Sequence, residues 1–213
     1  MAKNSIIQPL GPSWFTGAYD PLTARWPAGN KMRETVIEAL QLRSDERLLE
    51  LGCGSGRLAI QVKHRWPGVH ITAVDGNRDI MNVARSRARD AGVDIDFVLG
   101  DFTTCPLEGT YDRVYSTLVM HHLTLEAKRE VFARIRGLLA DDGRFVVADF
   151  SRHRGSGQAL LSKLSSLSDP LRGKQPHRDG TFELAMQESF NTVRSLAQIP
   201  SVFGTIEVWE CGA

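Results

Sequence analysis

The fold of this chain is decided by residues 48–58, which read Leu-Leu-Glu-Leu-Gly-Cys-Gly-Ser-Gly-Arg-Leu. A short apolar strand here carries an acidic residue, Glu50, and breaks into a turn with glycine at positions 52, 54 and 56. We predict that a helix begins at about Arg57. Glycine at alternate positions lets the backbone turn sharply and approach a ligand closely, beside free N–H groups at the helix start. Such a turn suits a nucleoside-like ligand better than a polyphosphate, because no Gly-Lys-Ser/Thr follows to hold phosphates.

The spacing of the three glycines separates two interpretations. A dinucleotide-binding fold requires Gly-x-Gly-x-x-Gly, in which the third glycine packs the helix onto the strand. Here the third glycine, Gly56, comes one residue earlier, and Glu50 stands just ahead of the turn. Residues 50–56 instead resemble the first motif of class I S-adenosylmethionine (SAM) dependent methyltransferases. On this spacing a nicotinamide oxidoreductase is the less favoured alternative.

Composition limits the class of protein. A chain of 213 residues fits one domain, and its 26 Lys and Arg against 25 Asp and Glu give no indication of a nucleic-acid partner. No apolar run approaches the roughly 20 residues of a membrane span. The apolar stretch near the start is too short for a signal peptide. Three widely separated cysteines predict neither a disulfide framework nor a zinc site, and a reducing cytoplasm is the expected location.

Strand-like and helix-like segments alternate through the middle of the chain. The predicted strands are Arg47–Leu51, His70–Asp75, Ile95–Gly100, Tyr111–Thr117 and Arg144–Phe150. Stretches with apolar residues at helical spacing lie between them, which predicts a parallel sheet covered by helices on both faces. A further helix at Phe182–Phe190 leads to two closing strands near Val193–Ile199 and Gly204–Cys211.

We expect residues 1–213 to form a single domain with four segments. These are an N-terminal helical cap (1–46), a SAM-binding core (47–150), a lid or substrate segment (151–190) and the closing strands (191–213). The cap is predicted to contain a helix at about Lys31–Leu42. The lid is predicted to contain an amphipathic helix at Leu160–Leu167, whose contact with a membrane surface is possible but not favoured.

Two carboxylates follow neighbouring predicted strands. In a doubly wound sheet, ligands bind outside the carboxyl ends of the strands, where the strand order reverses. Asp75 comes 19 positions after Gly56 and is placed to accept hydrogen bonds from ribose hydroxyls, the alternative being a helix N-cap. At the place of Asp101 the family has an acidic residue that receives the adenine amino group, and Phe102 would flank the ring. The alternatives are a solvated turn carboxylate and a core aromatic ring.

The resemblance extends beyond these motifs. The fourth strand with its exit (111–123) and the fifth strand (144–150) look like the same family, so the likeness covers about residues 19–150. Residues 204–210 fit the antiparallel final strand that distinguishes these methyltransferases from dehydrogenases. The most similar branch is the small-molecule, ubiquinone/menaquinone type, whose early Tyr-Asp recurs as Tyr19-Asp20. The implied fold is α/β, with a doubly wound, mostly parallel seven-stranded sheet whose last strand is antiparallel.

The resemblance implies SAM as the cofactor and a site at the matching positions. The predicted cofactor-binding residues are Tyr19, Glu50, Gly52, Cys53, Gly54, Gly56, Asp75, Gly76, Asp101, Phe102 and Thr117. No metal site is predicted. His121 and His122 are candidate catalytic bases because imidazole titrates near neutral pH, the alternative being that they shape the methionine pocket or pack beneath the sheet. Asp149, at the end of the fifth strand, borders the expected acceptor pocket as a base or as a cap.

The implied activity is methyl transfer to a small-molecule acceptor by in-line displacement, promoted mainly by proximity and desolvation. The chain lacks the Asn/Asp-Pro-Pro-Tyr/Phe motif of amino-directed DNA methyltransferases after the fourth strand, where it reads Ser116-Thr117-Leu118-Val119. Together with the near-neutral charge, this excludes nucleic acid as the expected partner. The alternatives are a SAM-binding protein that transfers no methyl group and a phospholipid methyltransferase at a membrane surface. A monomer or a homodimer is expected.

Overall fold

The computed structural model describes residues 26–151, 180–201 and 204–213. The predictions for Tyr19, for the rest of the first 25 residues and for the Leu160–Leu167 helix lie outside these residues. The elements in chain order are α1 (Pro27–Leu40), β1 (Arg47–Leu51), α2 (Arg57–Arg65), β2 (His70–Asp75), α3 (Arg78–Asp90), β3 (Asp96–Leu99), β4 (Tyr111–Thr117), α4 (Leu125–Leu138), β5 (Leu139–Phe150), α5 (Thr181–Ser189), β6 (Thr192–Ser201) and β7 (Gly204–Gly212). A short 3₁₀ turn, Met120–His122, lies between β4 and α4.

The strands form one seven-stranded sheet in the order β3-β2-β1-β4-β5-β7-β6. The five strands from β3 to β5 pair in parallel, whereas β7 is antiparallel to both β5 and β6. The predicted mostly parallel sheet with an antiparallel last strand is therefore confirmed. β1 lies between β2 and β4, so the strand order reverses at β1, which is where such sheets form a binding crevice.

Strand boundaries agree closely with the sequence pattern except at β5. The ranges predicted for β1, β2 and β4 are those observed, and β3 is shorter by one residue at each end. β5 begins at Leu139 instead of Arg144, because Leu139 pairs with Tyr111 before an irregularity after which Arg144 pairs with Arg113. The Asp-Asp-Gly segment at residues 141–143 is thus part of the strand.

The first helix begins and ends earlier than predicted. α1 starts with Pro27, whose fixed φ suits the first turn of a helix, and not near residue 31. It ends at Leu40 because Gln41 adopts a left-handed conformation with φ of 45°. A terminating residue of this kind is usually glycine, so glutamine at this position is not a clear stop signal.

Helices cover both faces of the sheet. Because side chains alternate along a strand, Leu48 packs in the cluster with α1, α2 and α3, whereas Leu49 packs in the opposite cluster with α4 and α5. We call these the first face and the second face of the sheet. Every described strand residue near the site can be assigned to one of them by this alternation.

Arg113 of β4 joins the sheet to the end of α1. Its side chain is buried, its Nε donates to the Leu40 carbonyl at 2.8 Å and its Nη2 lies 3.3 Å from Glu46 Oε1. A buried guanidinium is stable only when its donors are matched in this way. The contact fixes the helix that covers the first face over β5, β6 and β7.

We predict that Arg113→Met lowers the free energy of unfolding by about 2–4 kcal/mol, because it removes the hydrogen bond to the Leu40 carbonyl and the ion pair with Glu46 Oε1. Urea denaturation monitored by circular dichroism measures this change. The matched control is Arg129→Met, since the ion pair of Arg129 with Glu188 is about half exposed and such pairs contribute about 0–1 kcal/mol. Equal losses in the two variants would contradict the prediction.

Candidate cofactor and acceptor site

The glycine turn after β1 has the predicted conformation. The φ angles of Gly52, Gly54 and Gly56 are 74°, 52° and 72°, in the left-handed region that glycine adopts without strain. The N–H groups of Gly52 and Cys53 donate to the Val74 carbonyl at 2.8 and 2.9 Å, which ties the turn to β2. Gly56 forms the N-cap of α2, so the predicted helix start is confirmed.

The glycines differ in what surrounds them. A Cβ atom at Gly52 would lie 2.4 Å from Val119 Cγ2, and one at Gly56 would lie 3.1 Å from Ala84 Cβ. A Cβ atom at Gly54 would meet no atom of the described residues within 4 Å. Gly52 and Gly56 therefore permit close packing, whereas Gly54 faces open space where a ligand can approach the backbone.

Asp75 at the end of β2 supports the turn directly. Its Oδ2 accepts a hydrogen bond from Gly54 N at 2.8 Å, and its Oδ1 accepts one from Asn77 N at 2.8 Å. Asn77, and not Asp75, caps α3, with its side chain accepting from Asp79 N and Ile80 N. The N-cap alternative for Asp75 is thus wrong, and each of its oxygens keeps capacity for a further donor.

Asp101 lies just beyond β3, beside the end of β2. Gly100 N donates to the Asp75 carbonyl at 3.0 Å, which brings the two strand exits together. The Oδ1 atom of Asp101 accepts from Thr103 N at 2.8 Å and from Thr103 Oγ1 at 2.7 Å. Among the described residues no partner binds Asp101 Oδ2, so this oxygen can accept a hydrogen bond from a ligand.

Glu50 is a buried carboxylate behind the turn, with only 2% of its surface exposed. Burial raises its pKa to about 8, the neighbouring Tyr115 hydroxyl acts in the opposite direction, and the charge of Asp75 raises it further. Within the described part of the chain, Glu50 Oε2 and the Tyr115 hydroxyl are buried without hydrogen-bond partners. The site therefore contains an acidic group whose ionised form is stabilised only in part, by the nearby Tyr115 hydroxyl, until a cation or donor approaches Oε2.

The other predicted cofactor residues divide into two groups. Gly76 is exposed and Thr117 is half-buried, and both lie at strand exits on the same edge as the glycine turn. Cys53 is buried, and burial raises the pKa of its thiol, so it presents no reactive thiolate. Phe102 packs in the cluster of the second face, as in the core alternative, and its contact with a cofactor stays a prediction.

The exit of β4 contacts the glycine turn and then carries the paired histidines. Leu118 has a φ of 55°, a strained conformation for a residue with a branched side chain, and its N–H donates to the Ala148 carbonyl at 2.8 Å. This turn directs Val119 onto Gly52. His121 and His122 follow in the 3₁₀ turn with ring centroids 4.0 Å apart.

The structure distinguishes the two histidines. His121 Nδ1 lies 2.9 Å from Asp149 Oδ1, and Asp149 is fully buried at the end of β5. The ring of His121 also meets the ring of Phe150 edge-on, with centroids 5.2 Å apart. Sequence alone left the choice between His121 and His122 open, and the pairing of His121 with Asp149 required the β4–β5 alignment.

Sequence reasoning missed Tyr115 and Leu118. Tyr115 pairs with Glu50 in the β1–β4 register and lies on the same face. A signal existed only if the neighbour of β1 was known, because Tyr115 alone is an ordinary apolar strand residue. The strain at Leu118 left no signal, since leucine is not a residue that favours positive φ.

None of the helices in the described ranges is long and apolar enough to cross a membrane. Among residues 26–151, 180–201 and 204–213, no group of three or more His, Cys, Asp or Glu side chains is arranged to hold a metal ion.

We predict that Gly52→Ala lowers the free energy of unfolding more than Gly54→Ala does. The difference separates the cost of a steric collision from the cost of backbone strain. Both alanines would have to adopt positive φ, which costs about 1–2 kcal/mol. Only the alanine at position 52 would also collide with Val119, so that variant should lose at least about 1 kcal/mol more, as overpacking typically costs about 1–3 kcal/mol. Guanidinium denaturation of both variants measures the difference. Equal stability of the two variants would contradict the packing of Val119 on the turn.

Comparison with known proteins agrees with this geometry. The family model described as a methyltransferase domain matches residues 48–143. A demethylmenaquinone methyltransferase of Thermus thermophilus is 26% identical over 121 residues, which is 56% of this chain and 54% of that protein. An uncharacterised methyltransferase of Mycobacterium bovis is 29% identical over 148 residues, which is 68% of this chain and 72% of that protein. The chain spans about half or less of the first curated relatives that it matches.

The fold is also similar to solved methyltransferase structures. Magnesium protoporphyrin IX methyltransferase from Synechocystis PCC 6803, solved with bound S-adenosylhomocysteine, has a TM-score of 0.70 to this chain. The likeness covers 87% of this chain and 83% of that chain at 19% sequence identity, so it concerns the fold. Residues 48–143 thus match the methyltransferase domain family, and the fold of the chain is that of the Rossmann-like, class I SAM-dependent methyltransferases.

Proposed function

We propose that this protein transfers a methyl group from SAM to a small-molecule acceptor. The observation that carries the proposal is Glu50, a buried carboxylate behind an open glycine turn, whose Oε2 has no hydrogen-bond partner within residues 26–151, 180–201 and 204–213. A buried carboxylate is costly unless a cation or hydrogen-bond donor matches it. SAM carries both an ammonium group and a positively charged sulfur, so the residues present fit this cofactor.

The remaining polar groups fit the nucleoside part of the same molecule. Asp75 already accepts one backbone N–H on each oxygen, and its remaining lone pairs suit the two hydroxyls of a ribose. Asp101 Oδ2 is available to accept from the adenine amino group. The open space at Gly54 allows the ligand to approach the turn. We also assign Tyr19, Gly76, Phe102, Thr117 and the backbone of Cys53 to this site as proposals.

When bound, SAM supplies a methyl group that the positive sulfur has already activated. The contribution of the protein is to hold the acceptor in line with that group and to exclude water. Alignment of two reactants in this way supplies up to about 7–11 kcal/mol of a barrier. The packing of Val119 on Gly52 fixes the distance between the glycine turn and the exit of β4, where the acceptor is expected.

Several features support a small molecule as the acceptor. The net charge is +1, and the segment after β4 lacks the motif that clamps the amino groups of bases. The menaquinone-type relative acts on a small molecule according to its name. A cytoplasmic location, a monomeric or homodimeric state and the four-segment division of residues 1–213 stay predictions.

Incubation of the protein with cell extract and methyl-labelled SAM tests the function. We expect label in at least one metabolite together with stoichiometric S-adenosylhomocysteine, both detected by liquid chromatography and mass spectrometry. Asp101→Ala is the control, because loss of the proposed adenine contact should reduce SAM affinity by about 1–3 kcal/mol. Failure of the unmodified protein to bind SAM in calorimetry would overturn the proposal.

We predict opposite effects of Glu50→Gln on stability and on SAM binding. The pKa of Glu50 is about 8 in the folded protein, above its value in an unfolded chain, so folding favours the protonated form. The stabilising contribution is complete below about pH 4.5 and is lost as the pH rises to about 8, by on the order of 2–5 kcal/mol. Relative to the unmodified protein, Glu50→Gln should therefore become more stable between these pH values while its SAM affinity falls. Urea denaturation and calorimetry measure the two quantities.

The same carboxyl group should release a proton when SAM binds. Near pH 7 the unliganded site holds Glu50 protonated, and a bound cation favours the ionised form. Calorimetry in buffers of different ionisation enthalpy should detect release of up to one proton, and none in Glu50→Gln. Glu38→Gln, on the exposed side of α1, is the control and should leave SAM affinity unchanged. Proton release that persists in Glu50→Gln would contradict this assignment.

A further inference from the structure

Asp149 accepts hydrogen bonds on both carboxylate oxygens. Oδ1 lies 2.9 Å from His121 Nδ1 and accepts from Phe150 N at 2.7 Å. Oδ2 accepts from His121 N at 3.1 Å. Backbone N–H groups can only donate, so both oxygens act as acceptors, as expected of an ionised carboxylate.

This arrangement favours one tautomer of His121. With an ionised Asp149 as the acceptor, Nδ1 carries the proton of the neutral imidazole, and Nε2 then carries a lone pair. No side chain or backbone group of the described residues bonds to Nε2. The backbone bond from His121 N to the same carboxylate fixes the position of the ring as well as its protonation. His121 is thus prepared to accept a proton at one defined atom.

The pair lies at the exits of β4 and β5, near the glycine turn. His121 comes two residues after Val119, which packs on the glycine turn, and beside Phe150 at the carboxyl end of β5. The carboxylate of Glu207 on β7 lies directly opposite Asp149 and is also buried, with Ser195 Oγ donating to it at 2.5 Å. His121 and its partner Asp149 therefore stand beside a second buried acidic side chain on this second face of the sheet.

We propose that His121 Nε2 is the base that removes a proton from a hydroxyl acceptor, and that Asp149 is the residue that positions it. This inference rests on the proposed methyl transfer and names its substrate class, a phenol-like or enol-like hydroxyl. The O–H proton passes to His121 Nε2 as the acceptor oxygen bonds to the methyl carbon. The carbon–sulfur bond breaks with its electron pair remaining on sulfur, and the imidazolium afterwards releases the proton to water.

A hydroxyl acceptor explains the pair better than an amine acceptor does. A neutral amine already has a free lone pair, and its proton can leave after the transfer, so an oriented base gives little advantage. A neutral hydroxyl becomes a good nucleophile only as it loses its proton, and a positioned base then contributes about 10²–10⁴-fold. The edge of the Phe150 ring beside His121 adds an apolar surface suited to a flat, conjugated acceptor.

The tautomer can be measured without any acceptor. Proton–nitrogen NMR correlation of the full isotope-labelled chain should show His121 protonated at Nδ1 and unprotonated at Nε2. In Asp149→Asn the amide can donate to Nδ1, so the Nε2-protonated form should become the major one. A purely structural role for Asp149 would leave the tautomer unchanged. The proposal is overturned if the unmodified protein already carries its proton at Nε2.

The substrate class is tested with the products of the labelled-SAM extract experiment. We expect an O-methyl product, and with that hydroxyl compound His121→Gln should lower kcat by about 10²–10⁴-fold with KM for SAM unchanged. Asp149→Asn should lower kcat by at least about tenfold in the same way. His70→Gln, exposed at the amino end of β2, is the control and should retain full activity. Thermal unfolding verifies that each variant is folded. If Asp149→Asn does not fold, the activity of His121→Gln alone tests the assignment of the base.

The outcomes distinguish this inference from the function on which it rests. Label found only in N-methyl or S-methyl products leaves the proposed function standing and overturns the hydroxyl assignment. An O-methyl product whose formation is unaffected by His121→Gln overturns the base assignment. Absence of any labelled product, despite SAM binding, overturns the proposed function and with it this inference, while the NMR measurement still reports the tautomer.

Discussion

The geometry of the glycine turn is the constraint on which the rest of the site depends. Three residues of left-handed backbone allow the chain to leave β1, bind the Val74 carbonyl twice and enter α2 within a few positions. The same path presents Gly54 N to Asp75 and makes room for Val119 against Gly52. A side chain at Gly52 would collide with Val119 at the exit of β4, and one at Gly56 would press against Ala84 of α3. The strand exits thus form one site because the turn contains almost no side-chain volume.

This constraint leaves an electrostatic cost at the centre of the site. Glu50 lies on the first face of the sheet together with Asp75 and opposite Tyr115, in a layer closed by the helices α1 to α3. Nothing in the described part of the chain compensates its Oε2. Burial of an unmatched carboxylate lowers the stability of the folded state. Destabilising arrangements of this kind are commonly retained at functional sites. The raised pKa of Glu50 expresses the same cost as an affinity for a proton, which a cationic ligand can replace.

Much of the fold follows from the sequence because buried strands have short, dense apolar patterns. β1, β2 and β4 were predictable to the residue, and the glycine spacing gave the class of turn. The start of β5 was not, because Asp141 and Asp142 lie in an irregular pairing that no local pattern indicates. The end of α1 was not, because Gln41 replaces the usual glycine. Local patterns encode local structure, and these departures depend on a neighbouring strand or on tertiary packing.

The positions of the candidate site residues could be predicted from the sequence, whereas their hydrogen-bond partners could not. Each carboxylate that follows a strand could be placed from the sequence, since the carboxyl ends of parallel strands meet at one edge. Which histidine has a partner depended on the register of β4 and β5, together with the strained turn at Leu118 that precedes them. Both pieces of information are absent from a one-dimensional pattern, in which His121 and His122 are equivalent.

The alternation of the strands gives the two halves of the site different supports. Glu50 and Asp75 belong to the first face, while Asp149 shares the second face with Val147 and Trp209 and lies opposite Glu207 of β7. The cofactor carboxylates and the histidine partner thus approach the same sheet edge from opposite layers. Packing changes among β7, α4 and α5 can therefore alter the surroundings of His121 while the glycine turn and its partners stay in place. Substitutions on the second face of such a sheet can therefore change which acceptor binds without changing how the methyl donor binds, because the residues proposed for the two roles lie on different faces.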